Sequence, residues 1–303
     1  MKFLKIITLF PLFSSLAHGL IKGYNFYGLE TPLKDFTCSW KHPVSYYIDQ
    51  LEQFGFNSIR VPFSKQWVDE NDFTKMDSFI TYASHRNMSI LLDFHRVNSN
   101  WQSASPFEDL SLTQYTDAWT KVLNRYVNNE HVYAVGLFNE FQGGDDQGEY
   151  WSEMMRQTIE KLELTQPKNR WIYFVGGTQW GGNLHNINLK GKTYSDRVRY
   201  EIHKYHFSGT GTIADWDYSF GNFTDKVVVG EWSINRDGWD ERFINYLIKR
   251  NIRNNYYWTV SNSGDTINIW NNDCETINWD VINKIKILWG DEPRRLRLGT
   301  KIE

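Results

Sequence analysis

Two glutamates each close an apolar run. Val132–Phe138 leads through Asn139 into Glu140, and Lys226–Val229 leads through Gly230 into Glu231. Runs of this kind read as strands buried on both faces, which puts each carboxyl at a strand end. A single glutamate there is ordinarily a salt-bridge or helix-cap residue. Two of them, if the fold sets them face to face, suit glycoside hydrolysis. That reaction needs one carboxylic acid to protonate the leaving oxygen and one carboxylate to attack or to activate water. Other polar residues hold similar places. Arg60 sits late in an apolar run, His95 just after one, His203 and Tyr205 within one, and Trp258 near the end of one. A histidine on a strand is more often a satisfied core residue than a ligand. No HExxH pattern or cysteine cluster accompanies these, so no catalytic metal is expected. There is also no Gly-x-Ser-x-Gly elbow and no phosphate-binding loop, and no cofactor is expected.

The elements that would position these groups alternate along the chain. Strands are expected at Ile21–Tyr27, Ser58–Phe63, Ser89–Phe94, Val132–Phe138, Trp171–Val175, Tyr200–His206, Lys226–Val229 and Asn255–Val260. Between them lie helical periodicities. Val44, Tyr47, Ile48, Leu51 and Phe54 form one face between Pro43 and Gly55, the usual start and stop residues. Leu112, Tyr115, Trp119, Val122 and Tyr126 form another behind Ser111, a residue suited to an N-cap. Further faces run through Trp151–Leu162, Trp239–Leu247 and Trp279–Leu288. This alternation predicts a single-domain α/β fold, the (β/α)₈ TIM barrel, in which chemistry gathers at the C-terminal strand ends. Residues 176–199 are Gly/Asn-rich and read as a loop where a fifth helix would stand. A doubly wound open sheet is the competing architecture, but no glycine-rich dinucleotide fingerprint follows the first strand.

The polar set resembles the family 5 glycoside hydrolases, and within them the cellulase-type endo-β-1,4-glucanases. The resemblance covers roughly residues 20–290 and is carried by Asn-Ser-Ile-Arg60-Val-Pro, Leu-Leu-Asp-Phe-His95-Arg, Asn139-Glu140, His203-Lys-Tyr205, Gly-Glu231-Trp and Tyr-Trp258. Trp180-Gly-Gly-Asn-Leu and Asn262-Ser-Gly-Asp-Thr look like the cellulase branch. The resemblance implies a retaining double displacement. Glu231 would be the nucleophile, held ionised by Arg60 and Tyr205. Glu140 would be the acid/base, a role that calls for a raised pKa. Asn139 would bind the sugar 2-OH, His95 and His203 would line the reacting subsite, and Trp258 would lie under the reacting sugar. Two positions depart from the pattern: Phe141 replaces the usual proline after Asn-Glu, and Ser233 replaces a glycine near the nucleophile.

Composition sets the outer bounds. A 303-residue chain with a net charge of −3 gives no reason to expect nucleic acid as a partner. Lys2 and Lys5 precede the apolar run Ile6–Leu12, which ends in Ala17-His18-Gly19. Residues 1–19 therefore read as a secretory signal peptide, too short to span a bilayer. No membrane insertion is expected, and the protein is expected to be secreted and monomeric. Residues 20–290 are expected to form the catalytic domain, and 291–303 a basic disordered tail. The sequons at Asn87 and Asn222 agree with export. Fourteen tryptophans and 17% aromatic residues are mostly core packing, but Trp40, Trp180, Trp258 and Trp270 stand at strand ends or in loops where a sugar ring could stack. Cys38 and Cys274, the only cysteines, follow strands one and eight. Those strands become neighbours in a closed barrel, so the two are expected to pair; two unrelated buried thiols are the alternative. The expected partner is a β-glucan polysaccharide, with β-mannan or another β-glucan as an alternative substrate. An inactive carbohydrate-binding protein or a structural barrel without ligand is the rival class.

Overall fold

The computed structural model describes residues 19–223, 225–235, 237–261 and 267–292. The expected signal segment up to residue 18, the tail from residue 293, the Asn262-Ser-Gly-Asp-Thr string and Thr224 of one sequon lie outside the described residues. Eight parallel strands close into a barrel in chain order: β1 (Lys22–Asn25), β2 (Ser58–Ser64), β3 (Ser89–Arg96), β4 (Val132–Gly136), β5 (Ile172–Gly176), β6 (Val198–Lys204), β7 (Val227–Trp232) and β8 (Asn255–Tyr257). The ring shuts where β1 pairs with β8, Lys22 opposite Asn255 and Tyr24 opposite Tyr257. The chain is a (β/α)₈ TIM barrel.

Outside the barrel stand α1 (Val44–Phe54), α2 (Lys65–Glu70), α3 (Thr74–His85), α4 (Leu112–Tyr126), α5 (Gly148–Thr165), α6 (Ile213–Phe220), α7 (Trp239–Lys249) and α8 (Trp279–Trp289). The two helices with the plainest sequence signals form as their residues dictate. In α1, Tyr47, Ile48, Leu51 and Phe54 are buried, and Gly55 ends the helix at φ 97°, a left-handed conformation that glycine adopts without steric penalty. In α4 the Ser111 side chain accepts from Gln114 N while the Gln114 side chain accepts from Ser111 N, a reciprocal cap worth about 1 kcal/mol. No α-helix follows β5. Residues 177–194 run as a loop in which Gly177 bridges Gly181 and Thr178 bridges Asn183, and Trp180 is held at its tip with φ 56°.

The sequence reading and the structure part company at strand ends. His95 and Glu231 lie inside β3 and β7, whereas Tyr205 and His206 lie beyond β6. Strand β8 is three residues long and stops before Trp258. Helices α2, α3 and α6 have no counterpart in the periodicity reading; α2 and α6, of six and eight residues, give too few turns for a 3.6-residue pattern to stand out, whereas α3 carries a legible stripe at Met76, Phe79, Ile80 and Ala83.

The barrel interior is layered. At its base Leu91, Tyr133, Phe174, Val228 and Tyr256 form an apolar plug, closed by hydroxyl contacts of Tyr256 with Ser58 at 2.9 Å and Tyr133 at 2.8 Å. Above the plug the inward positions turn polar. Leu91, Asp93 and His95 alternate along β3, as do Glu201 and His203 along β6, so each set shares one face.

Candidate active site

Arg60 is the hub. It is 0% exposed, and five oxygens surround its guanidinium. Nε lies 2.9 Å from Glu201 Oε1. Nη1 donates to Asn25 Oδ1 at 3.0 Å and Glu231 Oε1 at 2.9 Å. Nη2 donates to Asn139 Oδ1 at 2.8 Å and lies 3.1 Å from Asp93 Oδ1. A guanidinium has five N–H groups, so one side chain ties together β1, β2, β3, the β4 end, β6 and β7. Burial by itself lowers the Arg60 pKa, but Asp93, Glu201 and Glu231 outweigh it and keep the group cationic. Without that cation Asp93, Glu201 and Glu231 would be left with His203 as the cation nearest to two of them, and a buried carboxylate that loses its partner costs several kcal/mol.

Glu231 and Glu140 face one another above this hub. Glu231 accepts from Arg60 and, at Oε2, from Tyr205 Oη at 2.7 Å. Burial raises its pKa above the ordinary carboxylate value; His203 and Arg60 pull against that rise, and the charge of Glu140 adds to it. Glu140 is the more accessible of the two, with 21% of its side chain exposed against 5% for Glu231. One carboxylate oxygen of each, and a ring nitrogen of His203, lie within 4.8 Å of one another.

The two histidines are in opposite states. His95 Nδ1 lies 2.6 Å from Asp93 Oδ2, and its Nε2 is 3.2 Å from Asn139 Nδ2. Burial, aided by Arg60 and Arg96, pushes its pKa down to about 3. The neutral ring donates to Asp93 and accepts from Asn139, which fixes the Asn139 amide with its oxygen on Arg60. His203 Nδ1 lies 3.0 Å from Glu140 Oε1 and Nε2 lies 3.3 Å from Glu201 Oε1. Burial lowers its pKa, but Glu231, Glu140 and Glu201 together lift it to about 10. Each ring nitrogen of His203 thus faces a carboxylate, and the Glu140–His203–Glu231 group reads as a charge network.

Around these groups opens a cleft of about 1090 Å³, lined by Glu140, Glu231, His95, Trp258, Trp180 and Phe207, with Gln142, Lys204 and Tyr218 among the others. Trp258 lies parallel to the His95 ring, 5.6 Å and 12° away, and 5.6 Å from Tyr27. Trp180 lines the cleft with 54% exposure. The remaining tryptophans expected as sugar platforms fare differently. Trp40 is 69% exposed but is not one of the described residues lining the cleft. Trp270 is 0% exposed, wedged against Tyr47 at 5.1 Å and Phe54 at 6.1 Å. Trp270 is a packing residue, and its expected place as a platform is corrected. Sequence could not separate these cases, because a loop tryptophan reads alike whether it points out or in.

Phe141, where a proline was expected, stacks on Trp151 of α5 at 4.3 Å and 5°. The departure is absorbed by packing behind Glu140. Cys38 and Cys274 are joined by a disulfide, with Cα atoms 5.5 Å apart, and Tyr47 donates to Cys274 O at 2.8 Å. The sequence reading missed Asn25, Asp93 and Glu201. The latter two carried a usable signal, since Asp-x-His and Glu-x-His within β strands put a carboxylate and a histidine on one face.

The family profile described as cellulase (glycosyl hydrolase family 5) matches residues 22–276. The chain belongs to glycosyl hydrolase family 5. This family 5 chain is 26% identical to an endoglucanase of Paenibacillus polymyxa, over 84% of its own length and 79% of the relative's. It is 25% identical to the major extracellular endoglucanase of Xanthomonas campestris pv. campestris, over 89% and 68%. Its fold superposes on the catalytic domain of the major Xanthomonas endoglucanase with a TM-score of 0.77 at 22% identity, covering 90% of this chain and 95% of that one. A Pyrococcus horikoshii endocellulase, solved with cellotetraose, gives 0.77 at 22% identity over 89% and 92%. This family 5 chain is a glycoside hydrolase of the cellulase type. Among its described residues, no helix is long and apolar enough to cross a membrane.

Proposed function

We propose that the chain is a secreted, retaining endo-β-1,4-glucanase in which Glu231 is the nucleophile and Glu140 the acid/base. The observation that carries this reading is the approach of the two carboxyls, with one oxygen of each within 4.8 Å. Retaining enzymes hold the pair about 5–5.5 Å apart, whereas inverting enzymes leave about 6.5–9.5 Å for a water. The roles follow from the surroundings. Glu231 is gripped from below by Arg60 and Tyr205, an arrangement that favours a carboxylate and aims it into the cleft. Glu140 is more exposed and has His203 at its side, as suits a group that exchanges protons with the substrate and with water.

In the first step Glu140 gives its proton to the glycosidic oxygen as that bond breaks, and a Glu231 oxygen bonds to C1. In the second, Glu140 takes a proton from water, the water oxygen bonds to C1, and Glu231 leaves as carboxylate. Asn139 keeps one amide N–H for the sugar 2-OH while the other is spent on His95, and Trp258 forms the wall beside the reacting ring. The cellulase profile and the endoglucanase relatives support a β-1,4-glucan. Export is supported by the Lys-flanked apolar start of the sequence and by the extracellular relative.

The test is reducing-sugar release from soluble β-1,4-glucan, mixed-linkage glucan and β-mannan, with the anomer of the first product read by NMR. Release from glucan with retained β configuration, lost in both Glu231→Ala and Glu140→Ala, is expected. Turnover of mannan alone would reassign the substrate, an inverted anomer would reject the nucleophile, and binding without turnover would favour an inactive binder.

A further inference from the structure

His203 stands among three carboxylates. Its Nδ1 is 3.0 Å from Glu140 Oε1 and 3.7 Å from Glu231 Oε2, and its Nε2 is 3.3 Å from Glu201 Oε1. A neutral imidazole has one N–H and one lone pair, so a neutral ring here would aim its lone pair at a carboxylate. A protonated Glu140 meets that lone pair, but once Glu140 is ionised, as it is in the glycosyl-enzyme, only the imidazolium donates to both sides. Glu201 makes that so from below. It is 1% exposed, two residues before His203 on the same face of β6, with Arg60 Nε behind it at 2.9 Å. The space for its carboxylate is made at Gly230, where a Cβ would come within 2.0 Å of Glu201 Oε1. The residue beside Glu231 is thus a glycine that leaves room for Glu201.

We propose that Glu201 is a positioning residue that fixes His203 as a permanent imidazolium between Glu140 and Glu231. The proposal rests on the reading of those two as the catalytic pair. In a double displacement the negative charge moves from Glu231 to Glu140 as the glycosyl-enzyme forms, and back as it is hydrolysed. Both carboxylates lie within 3.7 Å of His203 Nδ1, so one stationary cation serves the anion in either place. A histidine that titrated near its ordinary value would lose that function as pH rises through neutrality.

The groups around the ring agree. Glu140 comes from the loop after β4, Glu231 from β7, Glu201 from β6 itself, and Asp93 from β3. Tyr205 adds a hydroxyl directed at Glu231. Arg60 of β2 stands behind Glu201, His95 of β3 is neutral, and the Gly181 carbonyl accepts from His203 N at 3.0 Å. Burial would raise the Glu201 carboxyl, but Arg60 and His203 outweigh it and hold it below its ordinary value.

The experiment is a ¹⁵N-histidine NMR titration of the full chain without substrate, with the His203 signal assigned by its loss in His203→Gln. His203 is expected to keep both N–H groups through pH 8.5; a wild-type midpoint near 6.5 would overturn the proposal. In Glu201→Gln, which keeps the shape and removes the charge, the His203 midpoint should fall by about 1–2 pH units. The basic limb of kcat/KM on soluble β-1,4-glucan should move down with it. An equal loss of activity at every pH, with His203 still charged as in wild type, would make Glu201 a packing residue and reject the proposal. Gly230→Ala displaces the Glu201 carboxylate without altering any charge and should give the same downward shift; an unchanged His203 midpoint in that variant also counts against it. The NMR titration needs no turnover, so it stands or falls apart from the assignment of the pair, which Glu231→Ala tests.

Discussion

Tyr205 Oη donates to Glu231 Oε2 at 2.7 Å from a position one residue past the end of β6. Together with Arg60 on Oε1, it gives each oxygen of the proposed nucleophile one donor. The ring also lies parallel to Phe207 at 5.1 Å, so the hydroxyl can be removed without disturbing the packing. Hydrogen bonds to charged groups are worth about 1.5–3 kcal/mol. Tyr205→Phe is therefore expected to lower kcat/KM on soluble glucan by about 10- to 100-fold with an unchanged Tm. Wild-type activity in that variant would show that Arg60 alone sets the Glu231 carboxylate.

Glu30 offers a stability test away from the catalytic pair. It is 1% exposed and accepts from Gly28 N at 2.7 Å, and burial pushes its pKa up from 4.5 to about 7. A raised folded-state pKa adds stability that is fully present below pH 4.5 and is lost as pH rises through 7. Glu30→Gln keeps the acceptor and removes the ionisation. Its gain in unfolding free energy over wild type should be larger at pH 8 than at pH 5, by about 2–3 kcal/mol. A gain independent of pH would show that Glu30 does not titrate in that window.

The exposed tryptophans separate by place. Trp180 lines the cleft, whereas Trp40 does not. Trp180→Ala is expected to raise KM for soluble glucan by about fivefold, roughly 1 kcal/mol of stacking. Trp40→Ala should leave KM within about twofold. Equal effects on KM would extend the binding surface beyond the cleft.

The disulfide closes a loop with a sequence separation of 236, tying the segment after β1 to the segment after β8. The double variant Cys38→Ala/Cys274→Ala should lose about 2–5 kcal/mol in denaturant unfolding and keep its activity at 25 °C. Loss of activity without loss of stability would place the bridge in the substrate path instead.

Much of this architecture was legible because one periodicity dominates each element. Eight apolar runs appeared at the eight strands, and the missing helix after β5 showed as a Gly/Asn-rich stretch with no apolar stripe. Strand ends were less legible. The apolar runs continue past the strand ends to Phe138 and Val260, while His95 and Glu231 lie within β3 and β7 although they are polar. Backbone pairing, not side-chain polarity, sets those limits.

The barrel, the family, the two glutamates and the polar residues at the strand ends could all be read from the chain before it is folded. The elements follow from residue type and spacing, the barrel from their alternation along the chain, and the family from the motifs that resemble it. What those groups are to one another is set by folding. The hub at Arg60 draws on six strands or strand ends, and no spacing along one strand shows that Glu201 of β6 meets Arg60 of β2. The opposite charge states of His95 and His203 were undecidable for the same reason. Each depends on which charges surround a buried ring, and barrel closure brings those charges together from strands far apart in the chain. The fate of Trp270 follows too: a loop tryptophan becomes core or cleft wall only when its neighbours, here Tyr47 and Phe54, fold against it.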